Sequence, residues 1–150
     1  VAELGGKSPN IVLPDCPDLD RAAQAAAGAI FYNMGEMCTA GSRLLVHRDI
    51  KEAFIEKLVA AARAYVPGNP LDPSYRWARS STASSSSACS ATSTRAQGST
   101  LVTGGARVNE HRAASTWSRR VRVKPDARIA REEIFGPVLS VIVFDDIDEA

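Results

Sequence analysis

Cys38 lies in the run GEMCTAGSR at 35–43, between Gly35 and Gly41 and followed by small residues at 39–42. A partly ionised thiol is the most nucleophilic side chain near neutral pH, and small neighbours let a substrate come close to its sulfur. Glu3 precedes Gly5 and Gly6 in ELGGKSPN at 3–10. A carboxylate beside backbone that can pass near a ligand is suited to general-base work. Taken alone, each has a plainer reading: an inert buried cysteine and a surface glutamate at a turn. A thiol hydrolase would instead pair Cys38 with a histidine, and the chain has only His47 and His111. His47 follows nine residues later and reads as an exposed strand end. A third reading is non-enzymatic, with the chain as an interaction or structural piece. Cys16, between Asp15 and Pro17, reads as a passive turn residue.

The elements that must carry these residues follow from periodicity and punctuation. Asn10 to Leu13 reads as a buried strand, and Asp18 as the N-cap of a helix to about Asn33. That helix places Ala23, Ala27, Ile30 and Phe31 on one face and delivers the chain to the cysteine segment. SRLLVH reads as a strand, and Asp49 with Glu52 as a capping box opening a second helix. Phe54, Leu58, Ala61 and Tyr65 form its apolar stripe, opposite Lys51, Glu52, Glu56 and Arg63, until VPGNPLDP ends it. LVTGG at 101–105 reads as a strand running into a turn. VLSVIVF at 138–144, bounded by Pro137 and Asp145, reads as an interior strand. Strands alternating with helices predict an α/β fold with a parallel sheet.

Composition narrows the classes further. The 150 residues are 45% hydrophobic and 23% charged, ordinary for a folded chain and enough for one core. A net charge of +1 gives no field for nucleic acid or an anionic membrane, and the basic run RRVRVK at 119–124 reads as a solvated surface. Three cysteines, at 16, 38 and 89, lack metal-ligand spacing and the even count of a disulfide framework, so no metal is expected and a reducing, cytoplasmic setting fits. No apolar run reaches the roughly 18 residues of a membrane span. Val1 in place of Met, and FDDIDEA ending like the first turn of a helix, point to an internal piece of a longer protein.

Taken together and in order, ELGGKSPN at 3–10, GEMCTAGSR at 35–43 and EEIFGPV at 132–138 resemble the aldehyde dehydrogenase superfamily, NAD(P)-dependent enzymes that oxidise aldehydes to acids. The resemblance covers residues 1–74 and 101–108 and resumes at about 123. IVLPDCPDLD and IFYNMGEMC look most like the aminoaldehyde branch, which includes enzymes acting on gamma-glutamyl-aminobutyraldehyde. The resemblance implies that Cys38 is the nucleophile and Glu3 the general base. It also implies that Glu133 contacts the nicotinamide ribose with Phe135 beside it, and that Leu4 and Gly5 border the nicotinamide ring. The fold it implies is part of the catalytic domain, with a parallel-type sheet, flanking helices and the dinucleotide-binding domain mostly absent. Relatives are homo-oligomers. Glu36 stands where many members have glutamine, and we expect it to point away from Cys38. Because the family's cofactor-binding half precedes ELGGK, the chain alone is expected to be inactive.

Residues 80–94, SSTASSSSACSATST, look like a flexible linker by composition, but both flanks resemble one domain. Relatives carry an amphipathic helix at this point. WARSSTASSSSACSATS at 77–93 can be encoded by bases that, read one base earlier from a preceding A, give MGAIVDGIQLERVLGYI. NEHRAASTWSRRVR at 109–122 is equally foreign to the family, and it contains His111. The expectation is a pair of compensating frame errors over 75–100 and 109–122, leaving Cys89 without functional weight. If the sequence stands as written, residues 75–100 lack the apolar surface to offset the entropy of ordering them.

Overall fold

The structure, a computed structural model, describes residues 2, 4–65, 67–68, 71, 73, 77–78, 100–104 and 119–150. Glu3, Cys89, His111 and most of the two stretches expected to be frame-shifted lie outside these residues. The elements in chain order are β1 (Pro9–Val12), α1 (Leu19–Phe31), a 3-10 turn (Tyr32–Gly35), β2 (Arg43–His47), a second 3-10 turn (Arg48–Ile50) and α2 (Lys51–Ala62). They continue with β3 (Pro67–Gly68), β4 (Trp77–Ala78), β5 (Thr100–Gly104), β6 (Arg119–Arg122), α3 (Arg128–Arg131) and β7 (Val138–Phe144).

Five strands form one sheet in the order β1-β2-β7-β6-β5, and β3 pairs with β4 apart from it. The β1/β2, β2/β7 and β6/β7 pairs are parallel, as the alternation of strands and helices predicts. β5 runs antiparallel to β6, a direction that strand patterning does not encode. The α/β class is as expected.

β7 sits in the middle of the sheet, and this explains a run that is apolar apart from Ser140. Leu139 and Val141 pack with Leu44 and Val46 of β2 and with Ala23, Ala27, Ile30, Phe31, Phe54 and Leu58 of the two long helices. The other face presents Val138 and Ile142 to Val123, Ile129, Ala130 and Ile134. A strand covered on both faces has no polar side to alternate with. Ser140, fully buried between them, donates its hydroxyl to the Ile129 carbonyl at 3.1 Å and so ties α3 to the strand.

Several expectations are corrected. β1 is the last strand on its side of the sheet, so Ile11 is 47% exposed and Leu13 38%, with Val12 alone buried in the strand. α1 ends at Phe31 because Asn33 and Met34 turn left-handed (φ 48° and 63°). The Asp49/Glu52 capping box does not form. His47 Nδ1 accepts the Asp49 N–H at 3.3 Å, residues 48–50 make a 3-10 turn, and no side chain caps α2. The buried stripe of α2 is Phe54, Leu58 and Ala62, with Ala61 and Tyr65 partly covered. Of the basic run, residues 119–122 pair their backbone as strand β6 between β5 and β7, with Val123 buried and Lys124 exposed after it.

Candidate active site

Asp18 sets the direction of the chain into the site. Its Oδ1 accepts the Arg21 N–H at 2.9 Å, satisfying one of the orphan donors at the start of α1. At the other end the chain must reverse within a few residues to reach β2. Asn33, Met34 and Gly35 do this with positive φ, and the Glu36 N–H closes the turn on the Asn33 carbonyl at 3.1 Å. Asn33 Nδ2 donates back to the Glu36 carbonyl at 3.2 Å. Asparagine tolerates this region better than most residues because its short amide bonds locally. A buried methionine there is strained, and such strain concentrates at functional turns. Cys38 follows two residues after Glu36 and is exposed.

The three sequence motifs meet around this turn. At φ +69° a Cβ on Gly35 would stand 2.5 Å from the Gly136 carbonyl oxygen and 2.8 Å from that of Ile30, so only glycine lets α1 and EEIFGP approach this closely. Gly6 lies directly against the Cys38 carbonyl, where a side chain has no room. The same Gly6 donates its N–H to Glu133 Oε1 at 3.1 Å, and Gly5 passes under the other carboxylate oxygen. Gly6, Gly35, Met37, Ala40, Ser42, Glu133 and Phe135 are among the residues lining a narrow cleft of about 10 Å³, the space of roughly one water. Phe135 also has positive φ (52°) and is 47% exposed, while Leu4 is 90% exposed. Glu133 keeps a second carboxylate oxygen that could accept from a ligand hydroxyl, and Phe135 offers an exposed ring.

Lys7 has no counterpart among the sequence-derived candidates. Its Nζ is shut from solvent and has no hydrogen-bond partner among the described residues. Burial, with the like charge of Arg43 second, lowers its pKa from 10.5 to about 8, and the Glu133 carboxylate pulls the other way. Arg43 Nε holds the Lys7 carbonyl at 2.8 Å, fixing this segment to the start of β2. Asn33 and Gly136 were also missed. The Asn-x-Gly spacing before the cysteine was the available signal for the first.

His47 takes no part. It ends β2, about 13 Å along the strand from Arg43 at roughly 3.3 Å per residue. Its Nδ1 accepts from Asp49 N–H, which leaves Nε2–H to donate to the Asp145 carbonyl at 3.0 Å. The ring also lies edge-on to Phe144, with centroids 5.5 Å apart. Both nitrogens and one face are committed to structure, which corrects the expectation of an exposed strand end and removes His47 as a partner for Cys38. Among the described residues no three His, Cys, Asp or Glu side chains cluster to hold a metal, and no helix is long and apolar enough to cross a membrane.

The glycine packing gives a direct stability prediction. Gly35→Ala should cost at least about 2 kcal/mol in urea unfolding, from left-handed strain plus the clash with two backbone oxygens. Gly28→Ala is the control: it sits within α1, where the added Cβ would find Tyr65 Oη at an ordinary 3.4 Å. That change should be neutral or stabilise by up to about 1 kcal/mol. Equal losses for the two would remove the close approach at Gly35.

The profile of the Aldehyde dehydrogenase family matches residues 1–150. Aminoacetaldehyde dehydrogenase of Pseudomonas aeruginosa is 40% identical over 150 residues, all of this chain and 30% of that protein. NADP/NAD-dependent aldehyde dehydrogenase PuuC of Escherichia coli is 40% identical over 156 residues, 99% of this chain and 30% of that protein. The crystal structure of gamma-glutamyl-gamma-aminobutyraldehyde dehydrogenase from Burkholderia cenocepacia is similar with 71% identity and a TM-score of 0.93, over 98% of this chain and 30% of that one. The chain thus spans about 30% of the length of these relatives. With its three motifs gathered at one turn and its whole length matched, the chain belongs to the aldehyde dehydrogenase family.

Proposed function

We propose that this chain carries the nucleophile and the nicotinamide-facing edge of an NAD(P)-dependent dehydrogenase that oxidises an aminoaldehyde to its acid. The supporting observation is the meeting of Gly6 with both the Cys38 carbonyl and the Glu133 carboxylate, which puts the thiol segment and the cofactor-facing segment on one short stretch of backbone. The aminoaldehyde class rests on the relatives' names and on the resemblance of the segments around Cys16 and Cys38.

The Cys38 thiolate adds to the aldehyde carbon, forming a C–S bond and an oxyanion that accepts a hydrogen bond from the Cys38 backbone N–H. When bound, the nicotinamide supplies the hydride acceptor. Collapse of the oxyanion restores the carbonyl as the C–H bond breaks and its hydride departs to that acceptor, leaving an acyl thioester on Cys38. Glu3 takes a proton from water, the hydroxide attacks the thioester carbon, the C–S bond breaks, and the acid leaves with the thiolate regenerated. Glu133 receives the ribose hydroxyls, Phe135 packs beside the ring, and Leu4 and Gly5 border it. The whole protein is proposed to act in the cytoplasm as a homo-oligomer.

With the relatives more than three times its length, the chain by itself is proposed neither to bind nicotinamide cofactor appreciably nor to turn over aldehyde. Titrating reduced cofactor into micromolar chain should leave its fluorescence unchanged, and a saturable shift would refute this. Activity is tested by completing the enzyme: residues 1–150 replace the matched 30% of the Pseudomonas aeruginosa relative. This graft should reduce NAD(P)+ in the presence of aminoaldehydes. A folded graft that hydrolyses thioesters but reduces no cofactor would overturn the assignment.

A further inference from the structure

The thiol stands on a turn that closes on itself. Cys38 and Thr39 are its central residues, and across it the Ala40 N–H donates to the Met37 carbonyl at 3.1 Å. In a planar trans peptide the C=O and the following N–H point opposite ways, so holding the Met37 carbonyl also aims the Cys38 N–H out of the turn. That N–H has no acceptor among the described residues. The direction in which the turn presents it depends on how its two ends are tied to α1. Behind the turn, the Gly41 N–H donates at 3.0 Å to the Ala29 carbonyl, one of those a helix leaves unpaired at its C-terminal end. Ahead of it, Asn33 and Glu36 are bonded twice. The Glu36 N–H donates to the Asn33 carbonyl at 3.1 Å, and Asn33 Nδ2 donates to the Glu36 carbonyl at 3.2 Å. Met34, buried in the main core, seats this ring. The second bond fixes the peptide that leads into Met37, and of these ties it alone comes from a side chain. We infer that Asn33 is a positioning residue for the Cys38 N–H: its amide holds the Glu36 carbonyl, and with it the turn, so that this donor meets the oxyanion formed at the thiol. The inference rests on the reading of Cys38 as the nucleophile.

The test runs two reactions at the same sulfur in the completed enzyme, for the parent, Asn33→Gly and Asn33→Asp. With the activated ester p-nitrophenyl acetate, the thiolate adds to the carbonyl, an oxyanion forms, and its collapse expels nitrophenolate and leaves an acetyl group on Cys38. Iodoacetamide alkylates the thiolate at a saturated carbon with loss of iodide, and no oxyanion forms. Glycine keeps the left-handed backbone at position 33 and removes only the amide. Aspartate keeps its shape, but the carboxylate has no proton to donate at neutral pH. Both variants should acylate about tenfold more slowly, the scale of one hydrogen bond, while alkylation stays within about twofold of the parent. The Asn33→Gly urea midpoint should stay near that of the parent. A merely structural asparagine would slow both reactions together or shift the urea midpoint alone. Either result, or acylation at the parent rate in both variants, would overturn the proposal. Asn33→Asp is close to isosteric, so the comparison stands even if Asn33→Gly fails to fold. Alkylation of Cys38 without any acylation in the parent would instead overturn the nucleophile reading itself, and the proposal with it.

Discussion

Cys38→Ser in the completed enzyme is expected to lower kcat for aldehyde oxidation by roughly 10⁴-fold or more, the scale seen when a covalent nucleophile is lost. Serine preserves the size of the side chain but not its chemistry, because a hydroxyl ionises far less readily than a thiol. The effect should fall on kcat, with cofactor affinity kept. Glu133 and Phe135, proposed to meet the cofactor, are held through the Gly6 N–H and the local backbone and do not depend on the sulfur. Cys16→Ser should leave kcat within a factor of about two. Its thiol lies 3.7 Å from the Asp18 carbonyl in the turn before α1 and packs against the main core, so its change is a surface-loop adjustment. Steady-state kinetics on the three proteins decide the matter. A Cys38→Ser enzyme with more than about a tenth of the parent kcat would remove the thiol from the mechanism.

Raising the pH from 8 to 10.5 should stabilise the chain through Lys7 by up to about 3 kcal/mol. Its folded pKa is about 8 and its unfolded value 10.5. Between those values the unfolded chain binds the extra proton, so unfolding becomes harder as pH rises. Below pH 8 both states are protonated and the folded state bears the cost of the enclosed ammonium. Lys7→Met has no such cost, so at neutral pH it should be more stable than the parent by a similar amount, and its response through this window should be flatter. Urea unfolding across the range measures both. The difference between parent and Lys7→Met isolates this group from the tyrosines and cysteines that titrate nearby. A constant difference would mean that Lys7 is as solvated in the folded chain as in the unfolded one.

Features set by local chemistry were legible in the sequence. Asp18 could be read as a cap because an aspartate ahead of an apolar-periodic run has one favourable use, and its Oδ1 does accept from Arg21. VLSVIVF could be read as interior because six apolar residues out of seven leave no face for water, and β7 is indeed packed on both sides. The glycine-rich motifs pointed to backbone crowding, and the contacts of Gly6 and Gly35 are that crowding.

What was illegible depends on partners distant in sequence. Nothing in GGKSP tells that Lys7 Nζ is enclosed, or that Arg43, far along the chain, holds the Lys7 carbonyl. The register of Arg119–Arg122 with Val138–Val141 was not legible either, because it is carried by backbone bonds that ignore side-chain charge. Asp49 looked like a cap, but the His47 ring, held by the Asp145 carbonyl beyond β7, reaches the Asp49 N–H first. β1 looked buried by composition, and its edge position is a property of strand order alone.

The central claim is that Cys38 carries the acyl group during aldehyde oxidation. Mixing the completed enzyme with NAD(P)+ and an aminoaldehyde, quenching in acid during turnover and digesting with trypsin yields the peptide 22–43, in which Cys38 is the sole cysteine. The account predicts that this peptide gains the mass of the aminoacyl group in thioester linkage, cleaved by hydroxylamine and absent without oxidised cofactor. Sustained turnover with that peptide unmodified, or with the acyl group on the peptide containing Cys16, would contradict it.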